Sequence, residues 1–170
     1  MILGMSVATF TLFHVVLSLV GIVAGLVVLS GMLASRVAGG WTSLFLATTI
    51  LTSVTGYFFP RDHILPSHVV GAISLVLLAL AALALYGYRL ARSWRWIYVA
   101  TATAALYLNV FVAVFQAFLK VDTLKALAPT QSEPPFVVAQ VAVLFAFTAA
   151  GILALRRFHP GSRVATLQTA

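Results

Sequence analysis

Five polar side chains stand within the long apolar stretches of this sequence, and they have the widest chemical repertoire there: His14, His68, Asn109, Gln116 and Gln140. If those stretches cross a membrane, each such side chain is costly unless it has a partner, so each is a candidate for function. Imidazole nitrogens bind metals or exchange hydrogen bonds, and amides donate and accept at once. We therefore predict a ligand- or cofactor-binding site built from these residues.

The two histidines could be the axial pair of one b-type haem, and only in that case would they be metal ligands. Neutral imidazoles on facing helices can ligate haem iron from both sides, and Arg61 or Lys120 would then be available for the propionates. The expected depths of His14 and His68 differ by about one to two helical turns, which counts against the pairing.

Two other interpretations of the polar residues stay open. Histidine and amide side chains could donate hydrogen bonds to the oxygens of a quinone, a lipid headgroup or a small solute. Alternatively, their role is structural: His14 would bond to a neighbouring helix, and His68 would belong to a helix start after Pro66 and Ser67. A haem, a quinone and no cofactor at all are therefore the competing expectations.

Groups suited to catalysis are scarce. The chain has no cysteine and three acidic residues, none of them paired in sequence, and zinc-protease, serine-hydrolase and nucleotide-binding motifs are absent. We predict no catalytic residues and favour a binding protein over an enzyme. The formal net charge is +7, and the basic residues are scattered over loops. This pattern indicates contact with lipid headgroups and not with nucleic acid.

The elements that must position these residues are membrane helices, because 62% of the chain is hydrophobic and 8% is charged. Lipid is the solvent that accepts such a composition, and in lipid the backbone must bond to itself, as helices do. We predict an all-α integral membrane bundle in a single domain, residues 1–170, with five transmembrane helices. The expected spans are about 6–33, 41–59, 66–88, 96–118 and 135–155.

The basic residues predict the orientation, because cytoplasmic loops retain arginine and lysine. Five spans place seven basic residues on one side: Arg36, Arg89, Arg92, Arg95, Arg156, Arg157 and Arg163. The other side holds three: Arg61, Lys120 and Lys125. We therefore expect the N-terminus outside and the C-terminus in the cytoplasm. Four of the five polar side chains then lie in the outer half of the bilayer, with Asn109 near its middle.

Small residues indicate where the helices approach one another. Gly21 and Gly25 have the GxxxG spacing that permits close packing of membrane helices, so we expect a helix contact there. The long connection 120–136 predicts a short interfacial helix that ends before Pro129, and either a simple helix cap or a lid over the polar residues.

The arrangement YLNVFV, then LAPTQSEPPF, then a last apolar stretch ending in Arg156-Arg157 resembles that of small bacterial inner-membrane proteins with four or five spans. That resemblance implies a multi-pass protein of the bacterial cytoplasmic membrane and no particular activity. Three kinds of function fit the sequence: a haem- or quinone-linked module, a small-solute or lipid-binding protein, and a non-catalytic accessory or assembly subunit. The expected partners are the lipid bilayer and either further copies of the chain or a larger membrane complex.

Overall fold

The computed structural model describes residues 1–2, 4–59 and 66–160, and these form helices with no strand among them. The prediction of an all-α bundle is confirmed. Six helices follow one another along the chain: α1 Val7–Leu33, α2 Gly39–Gly56, α3 Pro66–Ala82, α4 Trp94–Lys120, α5 Asp122–Leu127 and α6 Pro134–Arg157. A π-helical turn, Leu83–Gly87, continues α3.

Within the described part of the chain, four helices are long and apolar enough to cross a membrane, namely Val7–Leu33, Ser67–Gly87, Trp94–Lys120 and Pro134–Arg157. The prediction of five such helices is therefore corrected to four, and the helix that falls short is α2, at the predicted span 41–59. The physical reason is its composition, because seven of its 18 residues are serine or threonine. Their hydroxyl groups lower the hydropathy of a helix that is otherwise rich in apolar residues.

Helices α1 to α4 form a ring in which each packs against the next and α1 also packs against α4. Helix α6 lies outside this ring and contacts α4 and α1. The expected contact at the two glycines is confirmed. Gly21 and Gly25 are buried, and a Cβ atom built on Gly25 would lie 2.5 Å from Leu106 Cδ1 of α4 and 2.9 Å from Phe45 Cδ2 of α2.

The basic end of the bundle is defined by Arg36, Arg89, Arg92, Arg95, Arg156 and Arg157. Two hydrogen bonds bring its segments together: His159 N donates to Ser35 Oγ at 2.8 Å, and Arg95 donates to the carbonyl of Phe158. Lys120 and Lys125 lie at the opposite end, with Asp122 and Glu133. Arg61 and Arg163, which the sequence assigns to opposite sides, lie outside the described residues.

The connection 120–136 contains the expected short helix, α5. It ends at Leu127, and Ala128, with φ −146° and ψ 72°, is no longer helical ahead of Pro129. Glu133 is the residue that precedes α6, but its side chain does not bond to the helix. Its carboxylate accepts instead from the backbone N–H groups of Thr130 and Ser132, each at 3.1 Å. The acidic side chain therefore folds the loop back on itself.

Candidate functional site

A cavity of about 650 Å³ opens inside the ring at the end opposite the basic end. All four ring helices contribute to it: the first half of α1, the second half of α2, the start of α3 and the second half of α4. Four of the five predicted site residues line it, namely His14, His68, Asn109 and Gln116. We call it the ring cavity.

The half-buried imidazole of His14 is held by α2. Its Nδ1 lies 2.8 Å from the hydroxyl oxygen of Thr55, and that oxygen lies 2.7 Å from the carbonyl of Leu51. A threonine hydroxyl can donate one hydrogen bond, and a carbonyl can only accept. The Thr55 hydroxyl therefore donates to the carbonyl of Leu51, and Nδ1 of His14 donates to the Thr55 oxygen. In this tautomer Nε2 carries a lone pair and can accept a hydrogen bond.

His68 lies in the first turn of α3 and also contacts the end of α2. Its ring stacks on that of Tyr57, with the centroids 5.4 Å apart, and its carbonyl accepts from the Tyr57 hydroxyl at 2.7 Å. The predicted haem ligation by His14 and His68 gains no support, since both rings are engaged with the C-terminal end of α2. Among the described residues no group of three potential ligands is placed to hold a metal ion.

Asn109 forms the deep part of the ring cavity. Its Oδ1 accepts from the Ser18 hydroxyl at 2.8 Å, which ties α4 to α1. Its Nδ2 lies 3.3 Å from the position that a Cβ on Gly21 would take, so the glycine lets the amide approach α1. The Nδ2 group has two protons, and its one hydrogen bond, to the carbonyl of Ser18, is long at 3.5 Å. The amide therefore retains donor capacity toward the cavity.

The sequence did not single out Thr49, which also lines the ring cavity. The residue is 2% exposed, and its hydroxyl oxygen is buried without a hydrogen-bond partner. A Cβ on Gly21 would lie 2.9 Å from that oxygen, so Thr49 and Asn109 converge on the same glycine. The signal in the sequence was the density of threonines in α2, but nothing in it distinguishes Thr49 from the threonines that bond to their own helix.

Gln140, the fifth predicted site residue, lies elsewhere. It is buried between α6 and α4, where its Nε2 donates to the carbonyl of Phe111 at 3.1 Å and its Oε1 has no hydrogen-bond partner. The physical reason is that α6 packs outside the ring, against the side of α4 that faces away from the cavity. Gln140 therefore does not line the ring cavity with His14 in this structure.

The ring cavity is lined mainly by uncharged groups. Lys120 is the charged residue at its mouth, beside the exposed amide of Gln116, and none of the described lining residues is acidic. Its walls carry valine, leucine and alanine side chains and the backbone of two glycines between the hydroxyl and amide groups. Such a lining suits a neutral molecule with an apolar body and a few oxygen atoms.

No protein-family model, curated protein or solved structure shows a significant match to this chain.

Proposed function

We propose that this chain is an integral membrane protein that binds a quinone-type molecule in the ring cavity. The proposal rests on Thr49, a residue that lines the cavity and whose buried hydroxyl, beside Gly21, has no hydrogen-bond partner. A buried hydroxyl without a hydrogen bond costs roughly 1–3 kcal/mol. A ligand oxygen at this position would remove that cost, and the neighbouring Asn109 amide offers a second donor.

The hydrogen-bonding groups of the cavity match both redox forms of such a ligand. The carbonyl oxygens of a quinone accept, and Thr49 and Asn109 can donate to them. The hydroxyl groups of a quinol donate, and the lone pair on Nε2 of His14 can accept from them. The absence of an acidic residue from the described lining favours a neutral headgroup over a cation.

The walls of the cavity support entry from the bilayer. Val15 and Leu19 of α1 line the cavity and are also 43% and 54% exposed at the bundle surface. Both side chains therefore stand between the cavity and the lipid. A ligand with a long apolar tail could keep the tail in the lipid while its headgroup reaches Thr49.

We further propose that α2 crosses the membrane together with the four apolar helices. Its buried polar residues face the bundle, including Thr42, Thr48 and Thr55, whereas Leu44 and Leu51 are exposed. At about 1.5 Å per residue, its 18 residues extend about 27 Å, close to the roughly 30 Å of the hydrocarbon core. Packing against α1 thus supports a crossing that composition alone does not.

With α2 crossing, the basic end faces the cytoplasm, the N-terminus lies outside and the ring cavity opens in the outer half of the bilayer. The bacterial cytoplasmic membrane is the location that we propose. Reporter fusions at Arg92 and after residue 160 should both indicate the cytoplasm. An external signal at the C-terminal fusion would contradict this orientation.

The binding proposal is tested by titrating decyl-ubiquinone into the purified protein in lipid nanodiscs. We expect saturable binding that Thr49→Val weakens about tenfold, because the variant loses one hydrogen bond in a buried site. Thr103→Val is the matched control, since Thr103 is also buried with an unpartnered hydroxyl but does not line the cavity. Equal affinity in both variants, or partitioning without saturation, would contradict the proposal.

A further inference from the structure

A second concave site lies at the basic end, between the start of α4 and the end of α6. It has a volume of about 300 Å³ and is lined by Arg95, Trp96, Ile152, Leu155, Arg156 and His159. We call it the arginine groove. It shares no residue with the ring cavity and lies at the other end of the bundle.

Arg95 is held in place on both sides of the groove. Its guanidinium donates to the carbonyl of Phe158, just beyond α6, and lies 5.6 Å from the centre of the Trp96 ring. Phe158 is buried and its ring contacts Tyr98, so the acceptor is itself fixed. A guanidinium has five N–H donors, and a fixed one loses little conformational entropy when it binds an anion.

The positive charge of the groove has no acidic counterpart nearby. The three acidic residues of the sequence are Asp62, Asp122 and Glu133, and the two that the structure describes lie at the opposite end of the bundle. Arg95 and Arg156 therefore face the groove without a carboxylate from the described part of the chain. An anion from outside the protein would balance them.

We infer that the arginine groove binds the headgroup phosphate of an anionic phospholipid. Arg95 and Arg156 would donate to the phosphate oxygens, an arrangement in which guanidinium groups are especially effective. Trp96 lies where aromatic side chains favour the interface between headgroups and hydrocarbon. The inference does not depend on a ligand in the ring cavity.

The apolar part of the groove favours a lipid over a free phosphate ion. Ile152 and Leu155 extend from Arg156 toward the middle of α6, and Ile152 is exposed on the outside of the bundle. The groove thus continues into the surface that would contact acyl chains. A free phosphate ion would gain nothing from these two side chains.

The test is a titration of the purified full chain in a neutral detergent with phosphatidylglycerol, with lipid adducts counted by native mass spectrometry. We expect Arg156→Gln to weaken binding of one lipid about tenfold. Arg157→Gln is the matched control, because this substitution removes the same charge from the same helix end, and Arg157 does not line the groove. Arg95→Gln should weaken binding at least as much as Arg156→Gln.

Equal losses in the Arg156 and Arg157 variants would overturn the inference, since they would indicate attraction by net charge alone. Two further measurements identify the ligand. Phosphatidylcholine should bind at least tenfold more weakly than phosphatidylglycerol, and inorganic phosphate should not compete at millimolar concentration. Binding of phosphatidylcholine as tight as that of phosphatidylglycerol, or displacement of the lipid by inorganic phosphate, would contradict the assignment.

Discussion

The imidazole Nδ1 of His14 and the hydroxyl oxygen of Thr55 lie 2.8 Å apart across the interface of α1 and α2. This bond connects the candidate site to the packing of the two helices. The Thr55 hydroxyl donates its hydrogen bond to the carbonyl of Leu51, so its oxygen accepts from His14 and sets the tautomer of the ring. The chemistry available at Nε2 is therefore determined by a residue of the neighbouring helix.

Thr55→Val removes the acceptor for Nδ1 of His14, and we expect the bundle to lose about 0.6 kcal/mol of stability, a typical value for hydrogen bonds between membrane helices. Reversible unfolding in detergent and denaturant measures this loss. Thr52→Val is the control, because the Thr52 hydroxyl donates to Thr48 of its own helix. A loss in the control as large as in Thr55→Val would show that the interhelical bond contributes nothing specific.

Gly25→Ala should destabilise the bundle by about 1–3 kcal/mol, the usual range for overpacking. The added Cβ would meet Leu106 at 2.5 Å and Phe45 at 2.9 Å, both in the buried core. Gly40→Ala is the matched control, since no atom lies within 4 Å of its Cβ position. The free energy of unfolding in detergent and denaturant measures the effect. If both variants have the same free energy of unfolding, the side chains around Gly25 can move aside and the close contact is not required.

Gln140→Leu should leave stability nearly unchanged or raise it, because removing the buried Oε1 that has no partner offsets the loss of the Nε2 bond to the Phe111 carbonyl. Affinity for decyl-ubiquinone should also be unchanged, since Gln140 lies outside the ring cavity. Reversible unfolding in denaturant and the decyl-ubiquinone titration check the two expectations. A loss of ligand affinity without a loss of stability would return Gln140 to the site.

The loop before α6 should respond to acid through Glu133. Partial desolvation raises the pKa of Glu133, but hydrogen bonds from Thr130 and Ser132 outweigh it, so the pKa is lowered from its ordinary value of 4.5. A lowered pKa means that the carboxylate stabilises the folded loop above pH 4.5 and that this contribution is lost as the pH falls through the lower folded value.

Hydrogen exchange at the amides of Thr130 and Ser132, corrected for the intrinsic pH dependence, measures this effect. Protection should decrease in acid in the natural chain and should be weak at every pH in Glu133→Gln. Protection that persists unchanged in the variant would show that the loop does not depend on the carboxylate. Because the residue is exposed, we expect a local effect and no shift in global unfolding.

Helical periodicity was sufficient to predict that His14 points inward, because it shares a face with Ser18, Gly21 and Gly25 of its own helix. It also placed Asn109 and Gln116, seven residues apart, on one face of α4. It could not show which helices surround the cavity. Gln140 illustrates this limit, since its position on α6 is consistent with either side of α4 until the packing is known. Thr49 illustrates another, because only the three-dimensional structure separates a hydroxyl bonded to its own helix from one without a partner.

The number of membrane-spanning helices is also hard to predict from composition, because composition does not show which side chains are buried by packing. Helix α2 has hydroxyl groups that lower its hydropathy, yet several of them are buried against its neighbours. A sequence window averages these buried positions with the exposed ones. The six arginines of the basic end, by contrast, could be assigned to one end of the bundle from their order along the chain.

If a ligand oxygen bonds to Thr49 and Asn109 within the ring cavity, infrared difference spectroscopy of bound carbonyl-labelled decyl-ubiquinone should detect the hydrogen bonds. A quinone carbonyl that accepts these hydrogen bonds should absorb at a lower frequency than the same quinone dissolved in the lipid. The shift should decrease in Thr49→Val and persist in Thr103→Val. A carbonyl frequency in the natural chain equal to that of quinone in lipid would contradict hydrogen bonding of the ligand to Thr49 and Asn109.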